Sequence, residues 1–248
     1  MKDGYTIFDA HTHVGEARHS GRVYSAETLL HEMDSYGIER SLVIPFPVVA
    51  DHRCQHDIIG QAVKNHRDRF VGAACLSPFL PLPEFRDEVL RCRELYGFRA
   101  LKLQPQYHGL NPVSSSSDFF FETAIENNLV VVCHTGSGLP FSAPSLYMLA
   151  ARKFPELKIV LGHSGGGILV HEAIVAALFC SNIFLELSSL LPHQVLDVLN
   201  YVPSYRLMIG SDLPENVSTE IGKVLGLLIE DQDKRNILSG TALGIFHE

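Results

Sequence analysis

The chain has 248 residues, 46% of them hydrophobic and 19% charged, a charged share below the ~25% of an average soluble domain. That composition excludes a disordered or highly charged scaffold and predicts a large buried core, with residues 1–248 as one domain. A net charge of −8 and a pI near 5.9 give no electrostatic reason to bind nucleic acid or an acidic membrane. In chain order, short β-branched and aliphatic runs occupy residues 6–10, 41–46, 70–76, 100–103, 129–133, 158–162, 183–187 and 207–210. Most are continuous rather than alternating, as in strands covered on both faces of a parallel sheet. Amphipathic segments lie between them, at 25–36, 83–96, 118–127 and 167–179 among others, with Ser25 and Ser117 as N-caps and Gly37 and Gly97 as terminators. Eight strands at about 31 residues per unit make a comfortable βα repeat. The expected fold is α/β, a single (β/α)8 TIM barrel, with a doubly wound open sheet as the alternative.

The first residues, Met1-Lys2-Asp3-Gly4, open no apolar stretch of signal-peptide length. No window approaches the ~20 apolar residues that cross a bilayer. Cysteines 54, 75, 92, 133 and 180 are scattered and odd in number, without a C-x-x-C pair. Reduced thiols and a cytoplasmic location are therefore expected.

The residues that carry chemistry stand at strand ends. Strand one ends in Asp9-Ala10-His11-Thr12-His13, where alternation sends His11 and His13 to the same face, about 7 Å apart. Two adjacent neutral imidazoles suit a divalent metal. Strand five ends in Cys133-His134-Thr135-Gly136, strand six in Gly162-His163-Ser164 and strand eight in Gly210-Ser211-Asp212. In a barrel these positions converge on the carboxyl-terminal mouth, the face where such folds build their sites. Four histidines and one aspartate there are poorly explained as packing, although any one alone could be a histidine bonded to a nearby loop.

Together with 97–105 (Gly-Phe-Arg-Ala-Leu-Lys-Leu-Gln-Pro), these strand ends resemble the amidohydrolase superfamily. The resemblance is to its amidohydrolase-related branch, which holds metal-dependent hydrolases and aminocarboxymuconate-semialdehyde-type decarboxylases, and it runs through essentially the whole chain. It implies that His11, His13 and His134 bind a divalent metal, with Asp212 as fourth ligand and as the group that takes a proton from water. His163 would stand beside the metal and polarise water or substrate. One Zn2+ is expected, with Mn2+ as an alternative. Lys102 matches a lysine that bridges two metals in binuclear relatives; one metal is preferred here, and an amine bonded to Asp212 or a loop carbonyl is the plain reading. Gln104 stands where relatives often carry histidine. The tail Ser239-Gly240-Thr241-Ala242-Leu243 departs from the usual Glu-Asn-Ala-Arg.

A rival motif shares strand six. Gly162-His163-Ser164-Gly165-Gly166 fits the G-x-S-x-G nucleophile elbow, and Ser164, Asp212 and His247 follow the chain order of an α/β-hydrolase triad. Against it stand the missing oxyanion stretch and the purposeless H-x-H. Glycines 165–167 open a helix whose free N–H groups could hold an anion, or they allow close packing only. Arg18, Arg22, Arg53 and His108 fall in loops on the mouth side and are candidates for an anionic substrate. The expected activity is metal-dependent hydrolysis of an amide, lactone or ester-like bond in a small molecule. Non-oxidative decarboxylation of an unsaturated or aromatic acid is the alternative, and a non-catalytic binding barrel a third. A small-molecule substrate is the expected partner, with self-association left open.

Overall fold

The structure, a computed structural model, describes residue 2 and residues 4–246. The eight expected runs become eight parallel strands: β1 (Phe8–Glu16), β2 (Arg40–Pro45), β3 (Phe70–Ala74), β4 (Ala100–Leu103), β5 (Val130–His134), β6 (Ile159–Gly162), β7 (Ile183–Glu186) and β8 (Leu207–Met208). Each pairs in parallel with the next in sequence. The sheet closes where the Ala10 N–H donates to the Ile209 carbonyl at 2.9 Å and the Asp212 N–H to the His11 carbonyl at 2.7 Å. A two-residue strand, Val23–Tyr24, pairs antiparallel with the far end of β1; no apolar run announced it.

Helices α1 (Ala26–Tyr36), α2 (His52–Asn65), α3 (Leu82–Tyr96), α4 (Asp118–Glu126), α5 (Tyr147–Lys153), α6 (Val170–Phe179), α7 (Pro192–Leu199) and α8 (Val217–Gly226) alternate with the strands. The Ser25 side chain caps α1 by accepting the Thr28 N–H. Gly37 and Gly97 end α1 and α3 at φ 70° and 71°, the left-handed turn that glycine enters at little cost. Ser117 precedes α4 but does not cap it, because its hydroxyl donates to the Asn111 carbonyl instead. The helix expected from 167 starts at Val170, since Gly165, Gly166 and Gly167 have φ of 85°, 61° and 79° and cannot lie in a right-handed helix.

The apolar core has two layers. One lies between strands and helices, with Met33, Ile59, Phe85, Phe120 and Leu185 in it. The other fills the barrel, where Phe8, Leu42, Ile44, Val71, Val132 and Met208 meet. The closing helix Thr241–Phe246 plugs the amino-terminal end of the barrel, and Phe246 stacks on Phe8 with ring centroids 6.0 Å apart.

Strand β1 carries an irregularity that decides where its histidines point. Asp9 pairs with Ser41, but the next partners are Thr12 and Val43, so β1 spends one more residue than β2. Phe8 and Ala10 face the barrel interior, and unbroken alternation would send Thr12 inward and both histidines out. The extra residue reverses the parity. His11 and His13 turn inward, while the Thr12 hydroxyl donates to the Leu42 carbonyl at 2.8 Å. The Asp9 carboxylate clamps the irregular stretch, accepting the N–H of His11 at 3.2 Å and of Ser211 at 2.9 Å. Burial raises its pKa to about 7.

Away from the mouth, buried His56 ties α2 to α3 and to the segment after β3. Its Nδ1 lies 2.7 Å from Glu88 Oε1, and its Nε2 accepts the Cys75 N–H at 3.0 Å. Glu88 is gripped by Arg91 at 2.8 and 2.7 Å. Burial holds His56 below its ordinary pKa of 6.5, even with Glu88 beside it. The unfolded chain therefore takes up a proton near pH 6.5 that the folded chain refuses until lower pH. The stabilisation is whole above 6.5 and is lost as the pH falls through that window. His56→Ala should cost about 2–4 kcal/mol at pH 8 in urea titrations, by leaving a buried donor and acceptor unpaired. The gap to the parent protein should narrow at pH 5, and a gap constant across that range would contradict the assignment.

Candidate metal centre

The inner faces of the strands change character along their length. Apolar side chains fill the lower barrel, and the same alternation then delivers Lys102 and Gln104 above Ala100, His134 above Val132, and Glu186 and Ser188 above Phe184. The turn after β6 holds His163 at φ 63°, and the turn after β8 holds Asp212 at φ 63°. Left-handed backbone at non-glycine residues is costly and clusters at functional sites.

His11 Nε2 lies 3.7 Å and His13 Nε2 3.4 Å from Asp212 Oδ1, and ligand atoms of the three side chains lie within 4.8 Å of one another. His11 is wholly buried, whereas the Asp212 side chain is 26% exposed. Both imidazoles are tied through Nδ1: His11 to Glu186 Oε2 at 2.9 Å and His13 to the Pro45 carbonyl at 3.2 Å. A neutral histidine that donates from Nδ1 carries a lone pair on Nε2. Lys102 Nζ, 2.8 Å from His11 Nε2, reads that lone pair; its partner is thus a histidine and not Asp212 or a loop carbonyl. Two imidazole nitrogens and a carboxylate oxygen facing one another repel unless a cation or a proton stands among them; here Lys102 serves His11 Nε2, and His13 bonds to Asp212. The donor set therefore fits a divalent metal.

His134 is turned differently. Its Nε2 donates to the Ser137 carbonyl at 2.9 Å, leaving Nδ1 as its free donor atom, and its ring lies edge-on to His163 with centroids 4.8 Å apart. His163 Nδ1 meets Ser188 Oγ at 2.7 Å. Burial pushes His134 down to about 4 and His163 to about 3, and keeps His11 well below the ordinary range with Lys102 adding to the effect. All three are neutral at physiological pH. Burial lowers Lys102 as well, although the nearby Asp212 opposes the shift. Burial alone would raise Asp212, but its bond with His13 holds the carboxyl well below the usual range, so it is ionised.

A cavity of about 250 Å³ opens over these groups, and Arg22, Phe46, Gln104, Tyr107, His134 and Asp212 are among its walls. A larger groove of about 650 Å³, reaching Arg40, Arg67 and Phe246, contains none of the site residues. Arg22 is held at the mouth by Glu215 at 3.0 and 2.5 Å. Arg18 and Arg53 are not among the residues that line the cavity; Arg53 sits by Glu88 instead, 3.9 Å away. His108 is buried beneath it, accepting the Gln104 N–H at 3.3 Å.

The elbow motif is used otherwise. Ser164 is buried, and its hydroxyl donates to the Glu186 carbonyl at 2.8 Å; His247 lies outside the described residues. Two of the glycines after it spend their N–H groups locally, Gly165 on Thr135 Oγ1 at 2.9 Å and Gly166 on the His163 carbonyl at 2.7 Å. Glu186 and Ser188 escaped the sequence reading. Their signal was a lone acid closing the apolar run Ile183–Leu187.

Among solved structures, 5-carboxyvanillate decarboxylase from Novosphingobium aromaticivorans, complexed with manganese and 4-hydroxy-3-methoxy-5-nitrobenzoic acid, superposes with a TM-score of 0.81 at 15% identity over 100% of this chain and 97% of that one. The 4-oxalomesaconate hydratase of Rhodopseudomonas palustris gives 0.76 at 17% identity, covering 97% and 95%. A probable 2-pyrone-4,6-dicarboxylic acid hydrolase from Acinetobacter baumannii with citric acid bound gives 0.72 at 15% identity, covering 98% and 100%. No curated protein matches the sequence. A family profile described as amidohydrolase matches residues 8–247.

Gly210 is the space-maker of the centre. A Cβ there would fall 2.6 Å from His11 Cβ and 2.7 Å from Glu186 Oε1. Gly210→Ala should therefore push His11 out of line and lower metal uptake at least tenfold by elemental analysis, with the circular dichroism spectrum retained. Full metal uptake by the variant would show that His11 placement is not critical.

Proposed function

The chain belongs to the amidohydrolase family, and from that premise we propose that it is a metal-dependent hydrolase of an amide, lactone or ester-like bond in a small molecule. The observation that carries the reading is the convergence of two imidazole Nε2 atoms on the partly exposed Asp212 carboxylate, at 3.7 and 3.4 Å. His11, His13, Asp212 and His134 through Nδ1 would hold one divalent cation. Such a cation supplies Lewis acidity toward a substrate oxygen and makes water a stronger acid.

The protein's own groups handle the proton. Asp212 is ionised and reaches the cavity, so it can accept a proton from attacking water and return it to the leaving group. His163, neutral and buried beside it, orients the reactants. Lys102 Nζ, 2.8 Å from His11 Nε2, would yield that lone pair to a bound cation; the one-metal reading leaves Lys102 an amine and not a bridging ligand. Zinc suits an imidazole-rich donor set; manganese accompanies the decarboxylase structure.

Non-oxidative decarboxylation of an unsaturated or aromatic acid is the second reading. Arg22 at the cavity wall could hold a carboxylate, and a decarboxylase stands among the similar folds. Product analysis in 18O-labelled water separates the two: label in the organic product indicates hydrolysis, and carbon dioxide release with an unlabelled organic product indicates decarboxylation.

Asp212→Asn should lower turnover about 10²–10⁴-fold without unfolding the chain, and retained turnover would remove its acid–base role. His11→Ala should empty the site in metal analysis, whereas His163→Ala should reduce rate far more than metal content. Equal losses of both in the two variants would contradict the division of labour.

A further inference from the structure

Glu186 lies at the end of β7, wholly buried, and is not among the residues that line the cavity over the site. Its oxygens receive four donors. Oε2 accepts His11 Nδ1 at 2.9 Å, the His163 backbone N–H at 3.0 Å and the Ser188 hydroxyl at 2.9 Å, while Oε1 accepts the Ser188 N–H at 2.6 Å. A buried carboxylate meeting only donors is fully compensated; its neighbours, however, become fixed in one protonation pattern.

The pattern can be read atom by atom. His11 must carry its proton on Nδ1 to bond the carboxylate, and Lys102 Nζ at 2.8 Å from Nε2 agrees. Ser188 gives its only hydrogen to Glu186, so toward His163 Nδ1, 2.7 Å away, its oxygen can only accept. His163 Nδ1 is then the donor, and its Nε2 carries the lone pair. Gly210 leaves room for this arrangement, because a Cβ there would also fall 2.8 Å from Glu186 Cδ.

We propose that Glu186 is a positioning residue that, directly and through Ser188, holds His11 and His163 in the same Nδ1–H tautomer. One carboxylate thus prepares two different tasks: His11 Nε2 as a metal donor, and His163 Nε2 as an acceptor of hydrogen bonds or protons. His163 consequently polarises water by accepting from it and does not donate to a substrate carbonyl. The assignment deepens the hydrolase reading but depends on it only for this consequence, since the tautomers are properties of the metal-free protein.

The test uses 15N-histidine-labelled, metal-free full-length protein at pH 7.5 and long-range 15N–1H correlation spectra, which distinguish the two tautomers. His11 and His163, assigned through single His→Gln variants, should both show the Nδ1–H pattern. Ser188→Ala should convert His163 to mixed or Nε2–H tautomers and leave His11 unchanged. Glu186→Gln, which puts an amide donor among donors, should disturb both and weaken zinc binding about 10–100-fold in competition with a chromophoric chelator. Circular dichroism and the spectra of remote His56 report whether each variant is folded. An Nε2–H tautomer at either site in the parent protein overturns the proposal, as does an unchanged His163 in folded Ser188→Ala. Loss of hydrolysis with the tautomers as described would refute the functional reading alone.

Discussion

One extra residue on β1 governs the chemistry of this barrel. The two histidines of the first strand face the interior only because the strand changes parity between Asp9 and Thr12. The irregularity is held from two sides, by the Asp9 carboxylate on the N–H groups of His11 and Ser211 and by the Thr12 hydroxyl on β2. It also lies at the seam where the last strand closes on the first. Barrel closure and ligand orientation are therefore one structural event.

The interior is divided along its axis. Below, apolar side chains and the Thr241–Phe246 helix make a dry floor. Above, imidazoles, Lys102, Glu186 and Asp212 crowd into a space where unpaired charge is costly. The crowding is tolerable because nearly every polar atom has a named partner. His11 has Glu186 and Lys102, His13 has Pro45, His134 has Ser137 and His163 has Ser188. Burial keeps His11, His134 and His163 neutral while the bond from His13 keeps Asp212 ionised, which is the charge state that a cation requires of its donors.

Much of this was legible in the residues. Continuous apolar runs located all eight barrel strands, because strands covered on both faces leave no polar alternation to confuse the pattern. The strand-end histidines and Asp212 stood out because polar groups at the tips of such runs have little packing rationale. Other features depend on partners distant in the chain. The parity change on β1 arises against β2 and β8, the pair Val23–Tyr24 is too short to make a pattern, and Ser117 bonds backward to Asn111 instead of capping. Glu186 was missed for a related reason: a lone acid gains meaning only when donors from two other segments, His11 and His163, are seen to meet it beside Ser188.

The sealed floor has a consequence for traffic. With Phe246 stacked on Phe8 at the base of the barrel, the described residues close that end, and the cavity opens at the opposite one, beside Arg22 and Tyr107. A molecule held over the centre and one approaching it would therefore meet at that same mouth.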